Sequence, residues 1–308
     1  MSAPTTFGRV AIIGLGLIGG SIGLAVREHL SGVSTRGYDN DEAVRRRAAE
    51  RGLADEVCDS PQAAVADADL VILCVPVGAM GEVARAIAPA LKTGAVVSDV
   101  GSSKLGIGQA LAEALPGRAI VPAHPVAGTE HSGPDAGFAT LFHRRWCIIT
   151  PPAGADPANV AALVAFWEGL GATVDTMDAA HHDLVLAVTS HIPHLIAYTI
   201  VGTASDLEDV TRGEVIKYSA GGFRDFTRIA ASDPTMWRDV FLHNREAVLE
   251  MLDRFLTDLA MMREAIRAGD GETMFDLFAR TRGIRRSIIE LGQDDARADF
   301  GRKHNGDG

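Results

Sequence analysis

The sequence has few cysteines and no excess of positive charge. Cys58, Cys74 and Cys147 are the three cysteines among 308 residues, and they have neither CxxC nor paired spacing. This pattern excludes a disulfide framework and a cysteine-based zinc site, and it is typical of a reduced cytoplasmic protein. The formal net charge is −11, so the chain lacks the basic surface that nucleic acids and anionic membranes attract. A locally basic pocket for an anionic small molecule is compatible with this balance.

The sequence also lacks a secretory signal and any repeat or low-complexity tract. Residues 184–204 have the length and hydropathy of a membrane span. Ser190, His191, Pro193 and His194 lie at the centre of this segment, where insertion into a bilayer is costly. We therefore predict no membrane span but a helix buried on all sides inside the protein.

Strand-like and helix-like segments alternate through the first half of the chain, and the second half is almost wholly helical. The strand-like runs lie at residues 8–13, 34–38, 70–75, 95–100, 119–122, 146–150 and 172–177. This alternation predicts an α/β fold: an N-terminal Rossmann-type, doubly wound, mostly parallel sheet with an all-helical C-terminal domain. We expect a dinucleotide-binding domain at 1–178, a helical substrate-binding and dimerisation domain at 179–295, and a mobile tail at 296–308.

A glycine cluster after the first strand predicts the cofactor site. Gly14, Gly16 and Gly19 follow an apolar strand and open a helix, as in a dinucleotide-binding loop. Asp39 ends the second strand, where an acid accepts hydrogen bonds from a ribose and repels a 2′-phosphate, so NAD is favoured over NADP. The arginines at 36 and 45–47 argue the other way, and we interpret them as a solvated helix face. The predicted NAD contacts are Gly14, Gly16, Leu17, Ile18, Gly19, Asp39, Val75, Pro76 and Ser102.

Three further polar clusters are candidates for chemistry. His124 follows a predicted strand and is either a base for hydride transfer or a histidine that caps a turn. Ser190, His191 and His194 favour hydrogen bonds to an anionic substrate over a metal site, because no acidic residue lies at a helical offset; satisfied core histidines are the alternative. Residues 221–237 predict a shaped loop rather than a plain helix, with arginines for a carboxylate or for the surface.

Five segments carry a resemblance to a known family. They are GLGLIGGS at 14–21, DVGSSK at 99–104, HPVAGTEHSG at 124–133, HD at 182–183 with SHIPH at 190–194, and GGFRDFTRIAASDPTMW at 221–237. In this order they resemble the prephenate/arogenate (cyclohexadienyl) dehydrogenases of tyrosine biosynthesis. The resemblance implies that hydride leaves C4 of a cyclohexadiene for NAD, the ring carboxylate leaves as CO2, and the ring becomes aromatic.

The resemblance also implies residue roles. His124 accepts the hydrogen bond and then the proton of the 4-hydroxyl, and Ser102 orients that hydroxyl. Arg228 binds the ring carboxylate. The other implied substrate contacts are His194, Ser190 and His191 at the side-chain end, Thr129 and Glu130 at the mouth, and Asp225 and Trp237 around the pocket, from the same chain or across a homodimer interface. Prephenate and arogenate are both open as substrates.

Two other classes of protein stay open. A β-hydroxyacid-type dehydrogenase usually has a catalytic lysine in its helical domain, whereas Lys217 is the only lysine between residues 105 and 302. A non-catalytic NAD-binding regulator would tolerate loss of His124 or Arg228, and both are present. Formation of NADH from prephenate would distinguish the three.

Overall fold

The computed structural model describes residues 7–129, 131–206 and 221–290. The chain forms two compact units, residues 1–251 and residues 252–308. The first contains both β-sheets, and the described part of the second is helical. The functional division near residue 178 stays a prediction, and the predicted tail at 296–308 lies outside the described residues.

The larger sheet has six parallel strands in the order β3-β2-β1-β4-β5-β6. This is the strand order of the Rossmann fold, and the predicted fold class is confirmed. The strands are β1 Arg9–Ile13, β2 Ser34–Tyr38, β3 Glu56–Val57, β4 Leu70–Leu73, β5 Val96–Asp99 and β6 Ala119–Ile120.

The central strands read as continuous apolar runs because helices cover both faces of the sheet. In β1, Val10 and Ile12 belong to one buried cluster, while Ala11 and Ile13 belong to the other. The helices are α1 Leu17–His29, α2 Glu42–Arg51, α3 Pro61–Val65, α4 Met80–Ile87, α5 Leu105–Ala114, α6 Pro157–Gly169, α7 Ala179–Leu186, α8 Ile192–Ser205, α9 Gly221–Thr227, α10 Pro234–His243, α11 Arg245–Ala268 and α12 Gly271–Glu290.

Three short strands form a separate sheet in the order β7-β8-β9. They are Ala123–Pro125, Trp146–Ile149 and Thr173–Thr176; β7 is antiparallel to β8, and β8 is parallel to β9. His124 therefore lies inside a strand of this second sheet, not beyond the end of a strand of the parallel sheet as expected. The run at 119–122 breaks after Ile120, and the chain enters the second sheet at Ala123.

The apolar helix that we expected to be buried on all sides is not. α7 and α8 are joined by a π-helical turn, Ala187–His191, directly before Pro193, and the combined helix spans Ala179–Ser205. Only 28% of its most apolar window is buried, and Ile200 is 40% exposed. By length and composition alone this helix would pass for a membrane span, as core helices also do.

The segment after residue 220 also differs from the expectation of a shaped loop. Gly221–Thr227 is helical, and a 3₁₀ turn, Arg228–Ala231, follows it. Thr227 Oγ1 donates to the carbonyl of Phe223 at 2.6 Å, and Tyr198 Oη of α8 donates to the carbonyl of Ser232 at 2.7 Å. The first hydrogen bond lies within the helix, and the second ties the segment that follows it to α8.

Candidate active site

The glycine loop leaves a space against the N-terminus of α1. Gly14 has φ +103°, a backbone conformation that favours glycine. A Cβ at this position would also overlap the carbonyl oxygen of Cys74, so the loop does not tolerate a side chain here. A Cβ on Gly19 would overlap the carbonyl oxygen of Gly14, which keeps α1 close to β1. A Cβ on Gly16, in contrast, would meet no protein atom within 4 Å. The geometry fits a pyrophosphate that approaches Gly16 and the first amides of α1.

The loop glycines make separate contributions that two substitutions can distinguish. Gly16 has φ −76°, so Gly16→Ala should leave the thermal midpoint unchanged but raise KM for NAD roughly tenfold, because the methyl group occupies pyrophosphate space. Gly14→Ala should lower the thermal midpoint, because it is strained and overlaps Cys74. Thermal melts and NAD titration of both variants check this, and a Gly16→Ala protein with normal KM for NAD would exclude the pyrophosphate from this position.

Asp39 closes the loop from the end of β2. Its Oδ2 accepts from the amide of Leu15 at 2.9 Å, so the carboxylate lies against the glycine loop. Arg36 is held by Glu56 at 2.8 Å, and Arg45 Nη1 donates to the carbonyl of Asp39 at 2.8 Å. Arg46 is exposed on α2. Exposed Arg46 and Arg47 fit the interpretation as a solvated helix face, whereas Arg36 lies on β2 and not on a helix.

A buried ion pair links the end of the parallel sheet to the second sheet. Lys104 Nζ contacts Asp99 Oδ2, and both side chains are fully buried. The same Nζ donates to the carbonyl of Ala123 at 2.7 Å, next to His124. Asp99 pairs with Leu73 of β4. Cys74, which follows Leu73 in the chain, lies against Gly14. A continuous set of contacts therefore joins the glycine loop to His124.

His124 is buried and belongs to a chain of hydrogen bonds. Its exposed fraction is 7%, and its Nδ1 lies 2.9 Å from Nε2 of His182. Burial holds the pKa of His124 well below its usual 6.5, and the electrostatic effects of His182 and Lys104 lower it further. Burial also lowers the pKa of His182. His124 is therefore neutral at pH 7 and can act as a base.

His191 presents a hydrogen-bond donor. Asn244 Nδ2 donates to the carbonyl of Asp183 at 2.8 Å, which fixes the orientation of the amide, and it lies 3.0 Å from His191 Nδ1. Nδ1 of His191 is thus the acceptor, and Nε2 carries the hydrogen. Burial lowers the pKa of His191 to about 4, so this ring is neutral, and among the described residues its Nε2 has no partner.

His194 lies between an aromatic ring and a cation. Its ring stacks on Trp237 of the same chain with centroids 3.6 Å apart, and its Nδ1 lies 2.9 Å from the carbonyl oxygen of Ser190. Burial lowers the pKa of His194, and the positive charge of Arg228 lowers it further. The structure therefore brings Ser190, His194 and Trp237 into contact, and exposed Arg228 acts on His194 through its charge.

Other predicted residues are not joined to this group by a described contact. Ser102 is partly buried in the loop before α5, and Thr129 is exposed, where its Oγ1 accepts from the amide of His131 at 3.2 Å. Asp225 is exposed and pairs with Arg224 at 3.2 Å. Glu130 lies outside the described residues. Of the remaining cofactor candidates, Val75 lies beside Gly14, Leu17 and Ile18 begin α1, and Pro76 is exposed.

Sequence reasoning gave no role to His182, Asp183, Lys104 or Asn244. The pair at 182–183 was visible only as part of a resemblance, and Lys104 as part of DVGSSK. Asn244 has no sequence signal, because it follows the end of α10 and reaches Asp183 only through the fold. Among the described residues no group of three or more His, Cys, Asp or Glu could hold a metal ion.

Two family models match the chain. The model for the prephenate dehydrogenase nucleotide-binding domain matches residues 22–176, and the model for the prephenate dehydrogenase dimerization domain matches residues 178–280. A cyclohexadienyl dehydrogenase from Zymomonas mobilis is 46% identical over 284 residues, 92% of this chain and 97% of the relative. A prephenate dehydrogenase from Bacillus subtilis is 33% identical over 278 residues, 90% of this chain and 75% of the relative.

Solved structures agree with the sequence matches. The crystal structure of prephenate dehydrogenase from A. aeolicus, in complex with hydroxyphenyl propionate and NAD⁺, superposes with a TM-score of 0.85 at 33% identity, covering 91% of this chain and 98% of that one. The structure of Synechocystis arogenate dehydrogenase has a TM-score of 0.78 at 25% identity, covering 91% of this chain and 99% of that one.

Proposed function

The chain belongs to the prephenate dehydrogenase family, and from that premise we propose how its residues carry out the reaction. The enzyme catalyses the NAD-dependent oxidative decarboxylation of a cyclohexadiene acid in tyrosine biosynthesis. The substrate is prephenate, arogenate or both. The observation that carries the assignment of residues is a neutral, buried His124 connected by contacts to the glycine loop.

His124 Nε2 accepts the hydrogen bond of the 4-hydroxyl and draws its proton away as C4 is oxidised, which raises electron density on the oxygen. When bound, NAD accepts the hydride from C4. As the C1–carboxylate bond breaks, its electron pair enters the ring and CO2 leaves. The proton returns to the oxygen, so the product is a phenol and no net proton is released. Ser102, in the loop before α5, orients the hydroxyl.

Cationic and donor groups hold the carboxylates of the substrate. Arg228 binds the ring carboxylate through two parallel N–H···O bonds. His194, Ser190 and His191 line the side-chain end of the substrate, and the buried Nε2–H of His191 has no partner among the described residues. Trp237 holds the ring of His194 in place by stacking. Thr129 and Glu130 border the mouth, and Asp225 lies at the rim of the pocket.

The direct test is a substrate panel. Purified protein with NAD should form NADH with prephenate, arogenate or both, and should give no NADH with a β-hydroxyacid. NADH from the β-hydroxyacid alone would favour the other dehydrogenase class. No NADH from any substrate, with NAD still bound, would favour a non-catalytic regulator.

Asp39 should set the preference for NAD over NADP. Its carboxylate borders the loop at the position of the adenosine ribose and would repel a 2′-phosphate. Asp39→Ser should raise KM for NAD and lower KM for NADP. Asp39→Asn, which keeps an oxygen for the Leu15 amide but no charge, should lower KM for NADP with less harm to NAD. Equal kcat/KM for both cofactors in the unmodified enzyme would contradict this role.

The exposed apolar helix supports a homodimer through residues 179–295. Val188, Ile200 and Val201 on Ala179–Ser205 are each exposed by 39% or more, although the segment is apolar enough for a core. A two-fold copy of the same face would cover them. Sedimentation equilibrium at assay concentrations that finds only a monomer would contradict this. The proposal places the enzyme in the cytoplasm, and the three cysteines are free.

A further inference from the structure

Three side chains from two distant segments form one buried row. His124 Nδ1 lies 2.9 Å from His182 Nε2, and His182 Nδ1 lies 2.9 Å from Asp183 Oδ1. Their exposed fractions are 7%, 0% and 4%. Both ring nitrogens of His182 are hydrogen-bonded within this row.

The direction of the row follows from its acidic end. The Asp183 carboxylate accepts from the amides of Lys104 at 2.7 Å and Leu105 at 3.0 Å, so it lies at the N-terminus of α5 as an acceptor. His182 Nδ1 therefore donates to Asp183. A neutral His182 then has its lone pair on Nε2, and His124 Nδ1 must donate to it. The free lone pair of His124 is left on Nε2.

We propose that His182 and Asp183 are positioning residues that hold His124 in the tautomer whose Nε2 accepts the proton of the substrate hydroxyl. This inference rests on the proposed role of His124 as the base. In a Ser-His-Asp triad a buried carboxylate orients the catalytic histidine directly. Here the imidazole of His182 lies between the carboxylate of Asp183 and His124. When His124 takes up the proton, the positive charge faces the lone pair of His182 and, beyond it, the charge of Asp183.

Other groups around His124 do not supply this orientation. Lys104 and Asp99 are paired with each other, and His191 is held by Asn244. Cys147 of β8 is buried, and burial raises the pKa of its thiol, so it stays neutral. These groups tune the charge near His124. Among the described residues only His182 contacts His124 Nδ1.

His182 is the informative residue to change, because Asp183 also caps α5. His182→Phe keeps the ring volume and removes both hydrogen bonds, and kcat should fall roughly tenfold, the effect of one lost orienting hydrogen bond. KM for NAD and for prephenate should stay within about twofold. His182→Gln, whose amide can accept from His124 and donate to Asp183, should recover most of the lost kcat. His181→Phe, on the exposed neighbour of the same helix, is the matched control and should match the unmodified enzyme.

The ¹⁵N NMR signals of His124 report the tautomer without substrate, so this readout is separate from the proposed function. In the unmodified protein Nδ1 should be protonated and Nε2 should not, and His182→Phe should shift the population towards protonated Nε2. A protonated Nε2 in the unmodified protein would overturn the proposal even if His182→Phe failed to fold. Equal losses of kcat in His182→Phe and His182→Gln, with the His124 tautomer unchanged, would also overturn the proposal. That result would indicate that His182 contributes only to core packing.

Discussion

His124→Asn should lower kcat roughly 10²–10⁴-fold, the usual contribution of general acid–base catalysis. Asparagine can keep a hydrogen bond to the substrate hydroxyl, but it cannot take up a proton at neutral pH. KM for prephenate and for NAD should change little, because His124 does not hold a carboxylate or the cofactor. Steady-state kinetics of the purified variant, together with its thermal midpoint, measure this effect.

The matched control is His194→Asn. His194 stacks on Trp237, and in the proposed function it lines the side-chain end of the substrate, so its loss should raise KM for prephenate more than it lowers kcat. If His124→Asn keeps near-normal kcat while His194→Asn loses it, the base is His194. That result would contradict the assignment drawn from the buried row.

Arg228→Lys should chiefly weaken substrate binding. A planar fork with two charge-assisted hydrogen bonds becomes a single point contact, at a loss of about 1.5–3 kcal/mol. KM for prephenate should therefore rise roughly 10- to 150-fold, while KM for NAD barely changes. The charge of Arg228 lowers the pKa of His194, and this effect supports the proposed position of Arg228 beside the substrate.

Arg224→Lys is the control for this effect. Arg224 is exposed on α9 and pairs with Asp225, one turn before Arg228. Its substitution should leave KM for prephenate unchanged. A normal KM in Arg228→Lys, or an equal rise in both variants, would show that Arg228 is not the ligand of the ring carboxylate.

Local patterns predicted the cofactor side of the molecule well. The strand, glycines and acid at 8–39 form one continuous unit, whose geometry depends on neighbours in sequence. Gly14 and Asp39 accordingly lie where the pattern put them. The alternation of strands and helices predicted the parallel sheet for the same reason.

Contacts between distant segments could not be predicted in the same way. His124 and His182 are 58 residues apart, and Asn244 and Asp183 are 61 apart. No local periodicity encodes either pair. The second sheet was missed because a strand at 123–125 is too short to carry an alternation.

Hydropathy alone did not predict the exposure of Ala179–Ser205. An apolar sequence indicates that a surface becomes covered, but not which surface covers it. In the described chain most of that helix is open, and the helix at Gly221–Thr227 forms despite the two glycines at its start.

The central claim, that neutral His124 is the proton acceptor, is tested most directly by the dependence of kcat/KM for prephenate on pH, which reports the pKa of the base in the free enzyme. Neutral imidazole is the active form, so activity should be present above the pKa and lost as the pH falls through it. Because burial lowers that pKa, the acidic limb should have its midpoint below 6.5, and it should be absent in His124→Asn. His182, Lys104 and His191 are the charged or titratable groups that act on His124, and none of them should reproduce the limb. An acidic limb that persists unchanged in His124→Asn would contradict the account.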